Sequence, residues 1–202
     1  SVSTRIAGAT PELSASVEQD LKNIPEFEQR FLRLNVQEPY RLKATAIVHR
    51  LAFTRDRHAA RGPHVPGRDY KNTAELLADF MLILDSLFAH RGELLATGLL
   101  ERTIRTVAAF GLTHATLDIR EHSDAHHNVI KQMIAGDYIE LSHEDKFPIL
   151  VKQLAASEKL DSSKIDAAAA KTLNTFVAIE DLIERFGPEV IETYIVSMTK
   201  GA

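Results

Sequence analysis

Residues 111–127 constrain the fold of this chain more than any other segment. They open with an apolar, β-branched run at 112–119, which is typical of a buried strand, and then change to charge across 118–121. The apolar spacing of residues 123–134 is that of a helix. A strand that presents a charged side chain at its carboxyl end and leads into a helix is the arrangement of α/β-barrel active sites. We therefore predict a barrel strand here, and Arg120 is its strongest single candidate for a functional side chain.

The rest of the chain predicts mainly helices, and one further strand at 192–198, where β-branched and aromatic residues cluster. Helix-start signals recur along the chain: Thr10-Pro11, Pro25-Glu26, Pro39, Asn72 to Glu75, and Ser163 to Asp166. The expected fold class is mainly α, with long helices and two short strands that would belong to an incomplete α/β barrel. Two strands do not form a stable sheet alone, and both chain ends look cut, so we expect the barrel to be completed by sequence outside this chain.

Composition narrows the possible functions. The net charge of −4 does not favour binding to nucleic acid or to an anionic membrane surface. The chain has no cysteine, so neither a disulfide framework nor thiolate chemistry is available to it. No apolar run approaches the length of a transmembrane helix. We expect no nucleic-acid partner, no membrane partner and a cytoplasmic location.

Three segments, in the same order, resemble bacterial-type phosphoenolpyruvate carboxylase. These are NVQEPYRLKATAIVHRLAFTR at 35–55, FGLTHATLDIREHSDAHH at 110–127, and YIVSMTKGA at 194–202. The members of that family are several times longer, so the resemblance implies that residues 1–202 are a single, mostly helical central fragment. Within it, we expect a helical part at 1–110 and a part at 111–202 with two barrel strands and intervening helices.

The resemblance also implies an activity. The family forms oxaloacetate and phosphate from phosphoenolpyruvate and bicarbonate, with Mg²⁺ or Mn²⁺, and works as a homotetramer. Bicarbonate would attack the phosphoryl group, and the resulting enolate would then be carboxylated. The family's catalytic histidine, metal carboxylates, glycine-rich loop and catalytic lysine have no counterpart in this chain. We therefore expect the fragment to be inactive alone and to bind no metal.

Among the residues of this chain, the resemblance assigns substrate binding to Arg120. Asp118 and His126 are expected to support it from a second layer of contacts. The family commonly has Gln at the position of Glu121, so the resemblance assigns no role to Glu121. The competing interpretation is structural: Arg120 would pair with Asp118 or Glu121, inside a non-enzymatic helical interaction or scaffold module.

Two other patterns leave alternatives open. His122 and His126 are four residues apart, a spacing that on one helix could bind a metal, although no third ligand is evident. The predicted helix after Pro39 has a basic face, which is either a solvated surface or an anion or subunit contact. Its cations are Arg41, Lys43, His49, Arg50, Arg55 and Arg57.

Overall fold

The computed structural model of the chain describes Ser3 and residues 8–134, 138–156 and 165–199. The chain forms two compact units, Ser1–Ala115 and Thr116–Ala202. Helices account for most of the described residues, and the strands form one two-stranded sheet. The predicted mainly α class, with two short strands, is confirmed. None of the described helices is long and apolar enough to cross a membrane.

Among its described residues, the first unit contains six α-helices, and a π-helical turn at Ala96–Leu100 joins the last two. Thr10 caps α1 and Asn72 caps α4, as predicted: the side-chain oxygen of Asn72 accepts a hydrogen bond from Glu75 N at 3.1 Å. The helices are α1 Pro11–Asn23, α2 Gln29–Asn35, α3 Pro39–Ala60, α4 Thr73–Ala89, α5 Glu93–Leu95 and α6 Glu101–Phe110.

The predicted start of the second helix at Pro25 is wrong, because α2 begins at Gln29. The intervening residues form a turn in which Phe27 N donates to Ile24 O at 3.4 Å. Ile24 and Phe27 are both buried and pack with Ala46 of α3. Burying these two side chains against α3 favours the turn over an earlier helix start.

The main apolar core of the first unit lies between α1, α3 and α4. Ten buried residues form it, and they come mostly from these three helices. Their spacing along each helix follows the helical period, so each helix turns one apolar face inward. They are Leu13, Val17, Tyr40, Leu42, Ile47, Tyr70, Leu76, Ile83, Leu87 and Ala96.

A charged cluster lies beside this core. Lys43 of α3 is fully buried, and its Nζ lies 2.7 Å from both Asp20 Oδ2 of α1 and Asp79 Oδ1 of α4. Ser16 Oγ accepts a third hydrogen bond from the same nitrogen at 2.7 Å. Burial raises the pKa of Asp20, and the hydrogen bond and charge of Lys43 oppose that rise. One lysine therefore joins three helices.

The second carboxylate oxygen of Asp79 accepts two hydrogen bonds. Arg50 Nη1 donates to Asp79 Oδ2 at 2.6 Å, and the Tyr70 hydroxyl donates to it at 2.7 Å. The Arg50 guanidinium also lies 4.0 Å above the centre of the Tyr70 ring, a cation–π contact. Burial, with the Asp79 charge, raises the pKa of Tyr70, so its hydroxyl stays a proton donor.

These contacts correct the interpretation of the basic face of α3. Lys43 and Arg50 face inward onto carboxylates, and Arg57 Nε lies 2.9 Å from Asp69 Oδ1. The prediction of a solvated face or external anion site is therefore wrong for these three residues. Arg41 and Arg55 are exposed, as that prediction required.

In the part of the second unit that the structure describes, there are a parallel strand pair and three α-helices. Strand β1, Leu117–His122, pairs with β2, Ile191–Ser197, and Arg120 lies beside Ile195. The helices are α7 Ser123–Met133, α8 His143–Ala156 and α9 Ala167–Phe186, with 3₁₀ turns at Tyr138–Glu140 and Pro188–Val190.

We predicted a strand at 112–119, but β1 begins at Leu117, five residues later. It extends through the charged residues to His122. Gly111 and His114 both have positive φ values, +60° and +65°, so the chain turns where we predicted extended backbone. For α9, the predicted capping residue Ser163 lies outside the described residues. Asp166 provides the cap, accepting a hydrogen bond from Ala169 N at 2.8 Å.

The buried cluster predicts a large cost for losing its cation. Replacing Lys43 by Ala leaves Asp20 and Asp79 buried with less compensation, so we expect the free energy of unfolding to fall by about 3 to 5 kcal/mol. Replacing exposed Arg55, which pairs with Asp56, should cost less than about 1 kcal/mol. Urea denaturation followed by circular dichroism measures both. Equal costs for the two variants would contradict the structural role of Lys43.

The cap of α9 predicts a pH dependence. The backbone hydrogen bond from Ala169, then the bond from Gln132, holds the pKa of Asp166 below its ordinary 3.8. Because the folded-state pKa is lowered, the stabilisation is present above pH 3.8 and is lost as the pH falls through the folded-state value. The amide shift of Ala169 should titrate below 3.8 in wild type. Asp166→Asn should abolish that titration, whereas Glu180→Gln, on the exposed face of α9, should leave it unchanged.

Candidate functional site

One face of the strand pair is open and carries Arg120. Side chains alternate along a strand, so Asp118, Arg120 and His122 share one face of β1. The paired residues of β2 on that face include Ile195, opposite Arg120. All three side chains of β1 are exposed. The structure therefore places Asp118 and Arg120 on the same face of β1, two residues apart in the sequence.

The Arg120 side chain has no hydrogen-bond or ion-pair partner among the described residues. In particular, neither Asp118 nor Glu121 pairs with it, so the salt bridge that the structural interpretation required is not present in this part of the chain. A guanidinium in this state offers its full planar fork to an incoming carboxylate or phosphate, which can accept two parallel hydrogen bonds.

Two helices, α7 and α9, pack on the opposite face of the strand pair. Ile119 and its β2 neighbour Tyr194 lie on this face. The Tyr194 hydroxyl lies 3.2 Å from His126 Nε2 of α7, and its ring stacks on Phe176 of α9 at 5.2 Å between centroids. Burial, then the Glu121 carboxylate, raises the pKa of Tyr194. The tyrosine therefore stays protonated and ties β2 to both helices.

His126 consequently lies on the face away from Arg120. Its contacts among the described residues are with Tyr194 and Phe176, whose ring centroid is 6.0 Å away. The structure does not bring His126 and Arg120 together. Any support that His126 gives to Arg120 would pass through the strands rather than through direct contact.

The predicted shared helical face of His122 and His126 is wrong, because His122 is the last residue of β1. Its Nδ1 accepts a hydrogen bond from Asp124 N at 3.1 Å, so His122 caps α7 instead of lying within it. In the described part of the chain, no three His, Cys, Asp or Glu side chains come close enough to hold a metal ion.

Two serine hydroxyls join the carboxyl ends of the strands. Buried Ser123, the first residue of α7, donates to Met198 O just after β2 at 2.9 Å. Ser197 of β2 donates to the carbonyl of Glu121 in β1 at 3.2 Å. Sequence reasoning missed both contacts. A serine at a strand–helix junction was the available signal, but its partner becomes evident only once the strands are paired in parallel.

The fold and the open face define a class: a helix-rich chain with parallel strands that present an exposed arginine near their carboxyl ends. Comparison of the sequence with known families is consistent with that class. The sequence profile of the family described as phosphoenolpyruvate carboxylase matches residues 1–202. The chain belongs to this family.

Individual relatives agree with the family match. A phosphoenolpyruvate carboxylase of Roseiflexus castenholzii is 33% identical, in a match covering 99% of this chain and 23% of the relative. That of Gloeobacter violaceus is 32% identical over 95% of this chain and 22% of the relative. That of Ralstonia nicotianae is 30% identical over 93% of this chain and 20% of the relative. The chain thus spans about a fifth of the length of these curated relatives.

The serine contacts predict a local effect on β2. Ser123→Ala leaves the Met198 carbonyl without its hydroxyl donor, a loss of about 1 kcal/mol. Amide hydrogens at the carboxyl end of β2 should then exchange roughly five- to tenfold faster. Ser197→Ala, which removes an exposed and longer bond, should have a smaller effect. Hydrogen exchange read by NMR tests this, and identical exchange in wild type and Ser123→Ala would refute it.

Proposed function

We propose that the polypeptide containing this chain is a phosphoenolpyruvate carboxylase, which forms oxaloacetate and phosphate from phosphoenolpyruvate and bicarbonate. The observation that carries the proposal is Arg120, exposed and unpaired among the described residues on the open face of β1. Membership of the family along all 202 residues supports it. The structural alternative required a salt bridge from Arg120 to Asp118 or Glu121, and the described residues contain no such salt bridge.

In this proposal Arg120 is a substrate-binding residue. Phosphoenolpyruvate carries a carboxylate and a phosphate, and either group matches the two-donor fork of a guanidinium. Holding the substrate in one orientation lowers the entropic part of the barrier to reaction. Asp118, on the same face, would act as a positioning residue for the Arg120 side chain, and His126 would help to hold the strand pair through Tyr194.

The described residues of this chain do not form a binding site for the Mg²⁺ or Mn²⁺ that the family uses. Mg²⁺ and Mn²⁺ need clustered oxygen ligands, and the described residues bring no such cluster together. We propose that the Mg²⁺ or Mn²⁺ used by the whole polypeptide is bound by residues outside this chain. The 202-residue chain would then contribute a substrate arginine, bind no metal and be inactive alone.

We further propose that the whole polypeptide is a cytoplasmic homotetramer with no nucleic-acid or membrane partner. Large apolar side chains exposed on this chain, including Leu94, Leu99 and Leu154, supply surface that subunit contacts or the rest of the polypeptide would cover. The net charge of −4 also fits a protein without a polyanionic partner.

The experiment that tests this proposal is Arg120→Lys in the full-length polypeptide. Lysine keeps the positive charge but loses the bidentate fork. We expect kcat/KM for phosphoenolpyruvate to fall roughly 30- to 1000-fold, since a charge-assisted contact of this kind contributes about 2 to 4 kcal/mol. If the contact is equally strong in ground and transition states, the loss appears in KM. If it strengthens as the enolate forms, kcat falls as well.

The matched control is Arg102→Lys. Arg102 is exposed on α6 and has no ion pair among the described residues, so its replacement should leave kcat and KM unchanged. Thermal unfolding of both variants separates loss of binding from loss of fold. A folded Arg120→Lys enzyme with wild-type kcat and KM would remove Arg120 from the active site.

A further inference from the structure

A cavity of about 380 Å³ lies in the first unit between α1, α2 and the start of α3. Its apolar wall includes Val17 and Leu21 of α1, Leu32 of α2, and Leu42 of α3. Val17 and Leu42 are buried members of the main core, so this wall is part of a rigid, packed structure. A volume of this size, mostly apolar with few polar groups, is characteristic of sites for small molecules.

Two opposite charges line the same cavity. Glu18 projects from α1 and Arg33 from α2, and both are exposed. Neither has an ion pair or hydrogen bond with any described residue, and they do not pair with each other. Arg33 also lines an adjoining polar cavity of about 260 Å³, together with Gln37 and Glu38. The guanidinium is therefore reachable from both cavities.

We propose that this cavity binds a zwitterionic α-amino acid with an aliphatic side chain. Arg33 would bind the ligand's carboxylate, Glu18 its ammonium group, and the wall formed by Val17, Leu21 and Leu42 its side chain. This site lies in the first unit, whereas Arg120 belongs to the second, so the inference does not rest on the proposed carboxylase activity.

The charges distinguish this ligand from the alternatives. A simple amphipathic anion would gain from Arg33 but be repelled by Glu18, and a neutral apolar ligand would use neither charge. A peptide segment from the rest of a longer polypeptide could also cover the apolar wall, but it has no free ammonium and carboxylate on one carbon. The amino-acid zwitterion matches both charges and the apolar wall.

The test uses L-leucine as the probe and the 202-residue chain. Methyl NMR should show saturable shifts at Val17, Leu21 and Leu42 as leucine is added. Arg33→Gln and Glu18→Gln should each weaken binding about fivefold, the value of one solvent-exposed charge contact. Arg30→Gln replaces an exposed arginine of α2 outside the cavity and should bind as wild type does. Circular dichroism verifies that each variant is folded.

Two leucine analogues test the contacts of Glu18 and Arg33 one at a time. N-acetyl-L-leucine lacks the ammonium group and should bind wild type about fivefold more weakly than leucine, while Glu18→Gln should lose most of that discrimination. L-Leucinamide lacks the carboxylate. The Arg33→Gln variant should therefore bind leucinamide nearly as tightly as it binds leucine. Methyl shifts that do not saturate, or that are equal for all three ligands, would overturn the proposal. Unchanged leucine affinity in both Arg33→Gln and Glu18→Gln would also overturn it, because neither charge would then contact the ligand.

Discussion

The first unit depends on the carboxylate of Asp79. Each of its oxygens is bound by a cation of α3, Lys43 on one side and Arg50 on the other. These cations are seven residues apart, two helical turns on the same face, so the carboxylate can receive both only when α3 and α4 pack in one register. Lys43 also reaches Asp20, which extends the constraint to α1. A buried ion cluster adds less net stability than its short distances suggest, because desolvation opposes the attraction. We infer that its main effect is to select one packing arrangement.

Sequence reasoning predicted the helices of this unit but not its charged interior. The apolar spacing, Pro39 and the Asn72 cap identified α3 and α4, since local patterns determine where helices form. The same patterns led us to interpret the basic face of α3 as either a solvated surface or an anion or subunit contact. A signal was present, because Lys43, Arg50 and Arg57 are spaced seven apart and so share one face. Their partners come from elsewhere in the sequence, and only the tertiary fold reveals them.

In the second unit, sequence reasoning predicted the strand and helix types but misplaced a boundary. The apolar character of 112–119 suggested continuous burial, whereas β1 starts at Leu117 and alternates between a covered and an open face. The four-residue spacing of His122 and His126 left open a shared helical face. Parallel pairing with β2 keeps His122 extended, a long-range effect that a local pattern does not contain. For the same reason sequence reasoning missed the hydrogen bond from Ser123 to the Met198 carbonyl.

Alternation along β1 connects the stability of the second unit to the exposure of Arg120. Ile119 points to the face where Tyr194, His126 and Phe176 pack, so Arg120 must point away from it. A shift of one residue in the register would bury Arg120 beneath α7 and α9 without a partner and expose Ile119. An unpaired buried charge costs several kcal/mol, while burial of Ile119 would be lost as well. The packing that holds the helices against the strands therefore also keeps the guanidinium on the open face, available to an anion.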